Sequence, residues 1–254
     1  MRLSLLLPPL LLGLAACGQS APPEQSSSEE TVAPSAKAAP EKAYESAAAS
    51  AVEIAAPAGD YAVDRNHAYL GFSINHLGLS NYQARFTDYT VDVKLDPETI
   101  GDSSVKVNIK ADSVAADYPG DYKAGHKSSP YETWLEDLSK SDKFFNSEKH
   151  PEITFESTRI EDSGDGSLTI VGDLTLLGQT HPVTLDAEVV GAVAAHPFTN
   201  VGAMGFSVTG TFKRSEFGMN HLLDPPLIGD EVTLHFEGEF HQVVKAPTVE
   251  TAAK

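Results

Sequence analysis

The feature that most constrains the fold is an alternation of apolar and polar residues with a period of two, which recurs in eight stretches after residue 60. The clearest stretch, residues 232–240, has Val, Leu, Phe, Gly and Phe at every second position and polar side chains between them. Successive side chains of a strand point to opposite faces. Each stretch therefore predicts a strand with one dry face and one wet face.

Eight strands of this kind are enough to close a sheet into a barrel with a dry interior. Gly and Pro cluster between the stretches, as turns require, for example at residues 163–166 and 178–182. An eight-stranded barrel has just enough room inside for one small ligand. We therefore predict an all-β fold, an eight-stranded barrel domain over residues 60–244.

One interval, residues 112–150, lacks the alternation. It predicts a short helical insertion at about residues 129–142, with Ser129 as the N-cap and Pro130 in the first turn. Four apolar residues share one face of this helix at helical spacing. They are Tyr131, Trp134, Leu135 and Leu138. This face either covers one end of the barrel or forms a lid over a cavity, and the pattern does not choose between the two.

The N-terminus has the pattern of a secretory signal. Arg2 precedes an apolar run at residues 3–14, which is too short to span a bilayer. The Leu-Ala-Ala-Cys stretch that ends at Cys17 resembles the lipobox of bacterial lipoproteins, which implies a signal peptide at residues 1–16 and a lipid on the sulfur. The residue after the cysteine is Gly18, which resembles the sorting signal of outer-membrane lipoproteins. The predicted location is therefore the outer membrane, with the protein facing the periplasm. The alternative is that this lone cysteine is a free thiol.

Two segments have the composition of disordered chain. Residues 17–59 are rich in Ala, Pro, Ser and Glu, and Tyr44 is their single aromatic residue, so little apolar surface can be buried. We predict a flexible linker there and a disordered tail at residues 245–254.

The formal net charge of −18 argues against nucleic acids and anionic lipid headgroups as partners. The oligomeric state stays open, with a dimer among the possibilities.

Sequence motifs of catalysis are missing. No Gly-rich phosphate loop follows a strand, and no Gly-x-Ser-x-Gly elbow occurs. Nine histidines include no His-Glu-x-x-His motif and no His-x-His pair on a strand face, so we predict no metal site and no enzyme. His76 and Arg159 each continue an apolar strand face. Each is either an interior or rim residue or a polar contact to the headgroup of a ligand.

The candidate ligand contacts are large side chains on the dry strand faces, together with His76. They surround a ligand if the barrel is open, and they form an ordinary core if it is filled. Gly172, Gly210 and Gly238 lie on the same faces and are expected to leave room that a packed core would fill. The predicted cavity residues are Leu70, Phe72, Ile74, His76, Phe155, Leu174, Leu176, Leu185, Phe206, Phe212, Leu234 and Phe236.

Several motifs together resemble the YceI-like, polyisoprenoid-binding periplasmic protein family. The most specific is residues 172–183, which match the pattern G-x-L-T-L-x-G-x-T-x-P-V of that family. The resemblance covers about residues 60–243. The other matching stretches are 64–67, 70–78, 144–145, 150–158, 214–218 and 229–232.

The resemblance implies a lipocalin-like antiparallel barrel with a long apolar tunnel, in which some members hold a polyisoprenoid lipid or an isoprenoid quinone. One stretch departs from the family pattern: family members carry R-D-x-H-L before the double Phe, whereas residues 134–138 are Trp-Leu-Glu-Asp-Leu. That end of the tunnel is therefore expected to differ. Together with the lipobox at Cys17, the resemblance predicts a lipid-anchored envelope protein that binds such a lipid non-covalently, and we predict no other cofactor. A ligand-free stress or interaction module and a metal-dependent enzyme are the alternatives.

Overall fold

The computed structural model describes residues 54–163 and 166–244. The predicted signal peptide, Cys17, nearly all of the linker and the C-terminal tail lie outside these residues. Within them, ten strands form one antiparallel sheet, and two short helices lie between the fifth and sixth strands. The elements are β1 Gly59–His76, β2 Ser80–Phe86, β3 Tyr89–Leu95, β4 Ser104–Lys110, β5 Val114–Ala115, α1 Tyr122–Gly125, α2 Trp134–Lys140, β6 Glu152–Asp162, β7 Ser167–Leu176, β8 Gln179–Val193, β9 Ala203–Lys213 and β10 Ile228–Gln242.

Eight of the strands close into a barrel in the order β1, β3, β4, β6, β7, β8, β9 and β10, and β10 pairs back onto β1. Each of the eight alternating stretches falls on one of these strands. The predicted eight-stranded antiparallel barrel is therefore confirmed. We call the end that holds the β1–β2 turn, residues 77–79, the upper end. The end that holds the β8–β9 loop, residues 194–202, is the lower end.

Two strands that the sequence did not predict extend the wall at the upper end. The long strand β1 pairs with β3 through residues 59–62 and with β2 through residues 70–76. Strand β2 then pairs with β5. Strand β2 alternates only Tyr82, Ala84 and Phe86 with polar residues, and the middle member is small. The pattern was too short and too weak to predict a strand by itself.

The helical insertion differs from its prediction in its start and its cap. Helix α2 begins at Trp134, and its N-cap is Thr133, whose Oγ1 accepts a hydrogen bond from the Glu136 backbone N–H at 3.2 Å. A Thr followed three residues later by Glu is the capping-box pattern, which competes well with Ser129 for the helix start. Leu135 is 37% exposed, so the packed face of α2 excludes it. The four-residue helix α1 was not predicted.

The folded domain also begins earlier than predicted. Residues 54–59 belong to the predicted linker, yet Ile54 and Ala56 are only 8% and 2% exposed and belong to the main core cluster. The Tyr61 hydroxyl donates a hydrogen bond to the Pro57 carbonyl oxygen at 2.6 Å. Ile54, Ala56 and the Pro57 carbonyl oxygen thus dock the end of the predicted linker onto the barrel. Neither helix of the described ranges has the length and apolar character needed to cross a bilayer.

Candidate ligand-binding cavity

The lower half of the barrel encloses an apolar cavity of about 120 Å³. The inner faces of the strands supply aliphatic and Phe side chains to its wall. Ser103 is the one polar residue among the described residues that line it, and its Oγ already accepts a hydrogen bond from the Asp96 backbone N–H at 2.9 Å. Apolar cavities of comparable size stay dry. This cavity can therefore hold a hydrocarbon and offers nothing to a polar group.

A second and larger cavity of about 520 Å³ lies above the first. Its volume falls in the usual range for pockets that bind small molecules. The two cavities share the side chains of Ile109, Leu174, Phe212 and Leu234, so they adjoin inside the barrel. Together they form an elongated apolar space that runs from the lower half of the barrel to its upper end.

All twelve predicted cavity residues line one or both of these spaces. Leu70, Phe155, Leu185, Phe206 and Phe236 line the lower cavity. The upper cavity is lined by Phe72, Ile74, His76 and Leu176. Leu174, Phe212 and Leu234 line both. That these side chains contact a ligand stays a prediction.

The three glycines on the inner faces do not leave empty room, so that expectation is wrong. A Cβ on Gly172 would collide with the Phe155 ring, and one on Gly238 would collide with the Phe236 ring. At Gly210 the Leu185 side chain occupies the corresponding place. Each glycine thus lets a large neighbour lie against the wall instead of projecting into the interior.

Arg159 points away from the cavities, so both alternatives predicted for it, an interior or rim residue and a contact to a ligand headgroup, are wrong. The pairing of β6 with β7 shifts register between Ser157 and Arg159, and such a bulge reverses which residues face inward. Ile160 is consequently 5% exposed, and the Arg159 side chain lies outside with its Nε 3.4 Å from Glu161 Oε1. His76 is exposed and lies at the rim of the upper cavity.

Aromatic residues from the irregular segment close much of the upper cavity. Trp134 Nε1 donates a hydrogen bond to the Tyr82 hydroxyl at 2.6 Å, and the Trp134 ring packs edge-on against Phe144 at 5.4 Å. Tyr118 and Tyr122 complete the cluster. The face of α2 therefore both covers the upper end and forms cavity wall. Apart from Trp134, sequence reasoning missed these residues because they lie outside the clear alternation.

A buried carboxylate lies among these rings. Asp137 is 6% exposed, and its Oδ2 accepts hydrogen bonds from the Tyr122 hydroxyl and from Ser129 Oγ. Burial raises the pKa of Tyr122, and its hydrogen bond to Asp137 adds to the rise. The phenol therefore stays protonated and keeps donating at neutral pH.

Three further polar residues line the upper cavity. Arg214 is buried, and its guanidinium donates to the carbonyl oxygens of Gly229, Met219 and Ile228 at 2.7, 2.8 and 3.0 Å. Burial lowers the pKa of His221, and the positive charges of Lys143 and Arg214 lower it further. Among the described residues, nothing pairs with the Lys143 ammonium. Lys143 is thus the cation at this cavity that is available to a ligand.

Comparisons with known proteins agree with this architecture. The chain is 34% identical to a UPF0312 protein of Vibrio parahaemolyticus over 198 residues, 76% of this chain and 93% of that one. A crystal structure of a YceI protein from Campylobacter jejuni is similar with a TM-score of 0.51 and 26% identity, covering 67% of this chain and 91% of the other.

The fold is also similar to that of BcnA from Burkholderia cenocepacia, with a TM-score of 0.57 and 20% identity, covering 70% of this chain and 98% of BcnA. At that identity the likeness concerns the fold alone. The model of the YceI-like domain matches residues 61–240, which include all the strands that close the barrel except the first two residues of β1 and the last two of β10. This chain therefore belongs to the YceI-like domain family, as its motifs predicted.

Proposed function

We propose that this protein binds an elongated apolar lipid of the isoprenoid type, a polyisoprenoid or an isoprenoid quinone, inside its barrel. The observation that supports this most directly is the pair of adjoining cavities, of about 120 and 520 Å³, with almost wholly apolar walls in the lower one. Each Å² of hydrocarbon that leaves water contributes about 25 cal/mol to binding. A chain of isoprene units suits such a space because it carries methyl branches and no hydrogen-bonding group.

The distribution of polar groups orients the proposed ligand. The lower cavity has no free hydrogen-bonding side chain among the described residues, since Ser103 is engaged by the backbone. The upper cavity is bordered by Lys143, His126 and His221, and by the Tyr122–Asp137 pair. The hydrocarbon tail accordingly points down and the headgroup stays at the upper end. A polar headgroup that accepts a hydrogen bond meets a donor in Lys143.

The rim of the upper cavity offers a route for a lipid to enter. His76 and Ser80 line this cavity, and the turn between them exposes Leu77 by 46% and Leu79 by 85%. Apolar side chains beside the mouth lower the cost of moving a lipid between a membrane and the barrel. A lipid on Cys17 and a flexible linker would hold the domain at the periplasmic face of the outer membrane. This location and a binding rather than catalytic role are parts of the proposal.

Extraction of the purified protein with organic solvent, followed by mass spectrometry, tests the proposal. We expect an isoprenoid lipid in near-stoichiometric amount. The variant Leu174→Trp places an indole where the two cavities meet and should lose most of it. Asp173→Trp adds the same side chain at the neighbouring exposed position and should retain the lipid.

Fluorescence provides an independent readout, because Trp134 is the single tryptophan and lines the upper cavity. An isoprenoid quinone added to extracted protein should quench the emission of Trp134 saturably. Emission that does not change with added quinone, together with no lipid in the extract, would contradict the proposal.

A further inference from the structure

Three side chains with metal-ligand chemistry converge outside the barrel at its lower end. His196 lies in the β8–β9 loop, and Glu239 and His241 lie two residues apart on β10. One potential ligand atom from each of the three lies within 4.8 Å of the others. Phe240, between the two β10 residues, points inward and lines the lower cavity. The cluster is therefore on the outer face, separated from the cavities by the wall of the barrel.

His241 supplies a nitrogen that nothing in the described ranges satisfies. Its Nε2 is buried and has no hydrogen-bond partner there. Buried polar atoms in folded proteins almost always have a partner, and an exception needs an explanation such as a bound ion. An imidazole nitrogen with an unused lone pair is the commonest protein ligand for transition-metal cations.

One ring nitrogen of His196, Nδ1, already has a hydrogen-bonding neighbour. The hydroxyl of Thr199 lies 3.2 Å from His196 Nδ1, and the His196 carbonyl oxygen accepts a hydrogen bond from the Asn200 backbone N–H at 2.8 Å. A metal-binding histidine usually donates one ring N–H to a neighbouring oxygen and offers the other nitrogen to the metal. The Thr199 backbone N–H also donates to Nδ1, at 3.4 Å. In the tautomer that leaves Nε2 of His196 for a cation, Nδ1–H donates to Thr199 Oγ1 and this long backbone contact is given up.

Glu239 completes the set with a negative charge. Its carboxylate is exposed and forms no hydrogen bond or ion pair within the described part of the chain. The centroids of the His196 and His241 imidazole rings are 4.8 Å apart. Two imidazoles and one carboxylate are a recurrent ligand set for Zn²⁺, with water in the fourth position.

We propose that His196, Glu239 and His241 bind one divalent cation of the zinc type. Bonds of about 2.0–2.1 Å in a tetrahedral site place ligand atoms about 3.4 Å apart. The ligand atoms, which lie within 4.8 Å of one another, therefore need to approach by up to about 1.4 Å, which the loop position of His196 and the exposure of Glu239 permit. The cation ties the β8–β9 loop to β10. Sequence spacing missed this site because His196 is distant in the chain and the β10 pair is Glu-x-His.

Calorimetric titration tests the site. The full-length protein without a histidine tag is stripped with a chelator and titrated with zinc chloride. We expect one ion per chain, and a loss of affinity of at least tenfold in His196→Ala and in Glu239→Gln. His235→Ala is the matched control, since His235 is exposed on the outer face of the same strand and lies outside the cluster. Its affinity should equal that of the wild type.

Thermal unfolding gives a second readout. Zinc should raise the unfolding temperature of the wild type and of His235→Ala, and should leave that of His196→Ala unchanged. Equal zinc affinity in the wild type, His196→Ala and Glu239→Gln, or no saturable binding to the wild type, would overturn the proposal. His196 and Glu239 are not core residues, and circular dichroism verifies that the variants fold. The lipid content is expected to be the same in all four proteins, so this test is separate from that of the proposed function.

Discussion

The two halves of the barrel are built on different principles. The lower half is walled mainly by strands whose inner faces carry aliphatic and Phe side chains despite register shifts in three of the pairings, and its cavity is small and apolar. At the upper end the short strands β2 and β5, two short helices and loops are added to the ends of the barrel strands, and the cavity there is several times larger. Every ionisable residue that lines either cavity lies at the upper end.

This difference shows how one fold separates the region that can enclose an apolar chain from the region that can recognise polar groups. Regular alternation produces a wall that can only exclude water and bind hydrocarbon. Polar groups near a ligand need partners of their own, and loops and helix termini supply those partners. The buried carboxylate of Asp137, for example, is tolerated in the interior because Tyr122 and Ser129 both donate hydrogen bonds to it. We therefore expect substitutions in the lower half to act on stability and those at the upper end to act on ligand choice.

The largest effect is expected in the lower half, for Phe240→Ala. Phe240 is 2% exposed, and its ring packs against Phe206 and Phe236 with centroids 5.8 and 5.9 Å away. Truncating a buried Phe typically costs about 3–5 kcal/mol of unfolding free energy. Urea unfolding measures this cost. Phe198→Ala is the control, since Phe198 is 92% exposed and its loss should change stability by less than about 0.5 kcal/mol.

An intermediate effect is expected where glycine shapes the lower cavity. In Gly172→Ala the new methyl group collides with the Phe155 ring and with the Glu156 backbone carbonyl oxygen, so the ring is displaced toward the interior and the backbone of β6 has to shift. We expect a loss of about 1–3 kcal/mol from overpacking, together with weaker retention of a long hydrocarbon tail. Gly191→Ala is the matched control, because a Cβ there meets open space. Equal stability and equal lipid content in the two variants would mean that Phe155 repacks without entering the cavity.

A smaller effect is expected at the upper end for Tyr122→Phe. The substitution removes the hydroxyl that donates to Asp137 and leaves this buried carboxylate with Ser129 as its remaining side-chain donor. The expected cost is about 1–2 kcal/mol. Tyr131→Phe removes a hydroxyl without a partner in the described residues and should be nearly neutral. Lipid recovered from Tyr122→Phe should change in headgroup class more than in amount, and the opposite result would break the proposed division of roles.

The same difference explains what the sequence could predict. The eight closing strands and all twelve cavity residues follow from a period of two, because burial on one face imposes that period on every strand. The upper end has no such constraint. Strand β2 has three apolar positions, α2 starts at a Thr133 cap rather than at Ser129, and the Tyr122–Asp137 pair joins residues that no local pattern connects.

The glycines and Arg159 show a second limit. Alternation predicts which face a residue occupies, but not what its neighbours place there, so it predicts room beside Gly172 although the Phe155 ring fills that space. One bulge in β6 reversed the facing of Arg159, and nothing in the local sequence marks that bulge. Strand identity is thus local information, whereas cavity shape depends on contacts between strands.

The smallest effect is expected for acidification at the upper end, and it depends on His221. Its pKa is lowered below 6.5 by burial and by the charges of Lys143 and Arg214, so the folded state favours the neutral imidazole. The corresponding stability is present above about pH 6.5, the pKa of an unfolded histidine, and is lost as the pH falls through the lower folded pKa.

His221 packs edge-on against Phe144 at 5.4 Å, and Phe144 packs against Trp134. The emission of Trp134 should therefore change in this pH range in the wild type and stay flat in His221→Gln, whereas far-ultraviolet circular dichroism, which reports mainly on the barrel strands, should stay constant in both. A pH-dependent emission that persists in His221→Gln would assign the change to another group at the upper end.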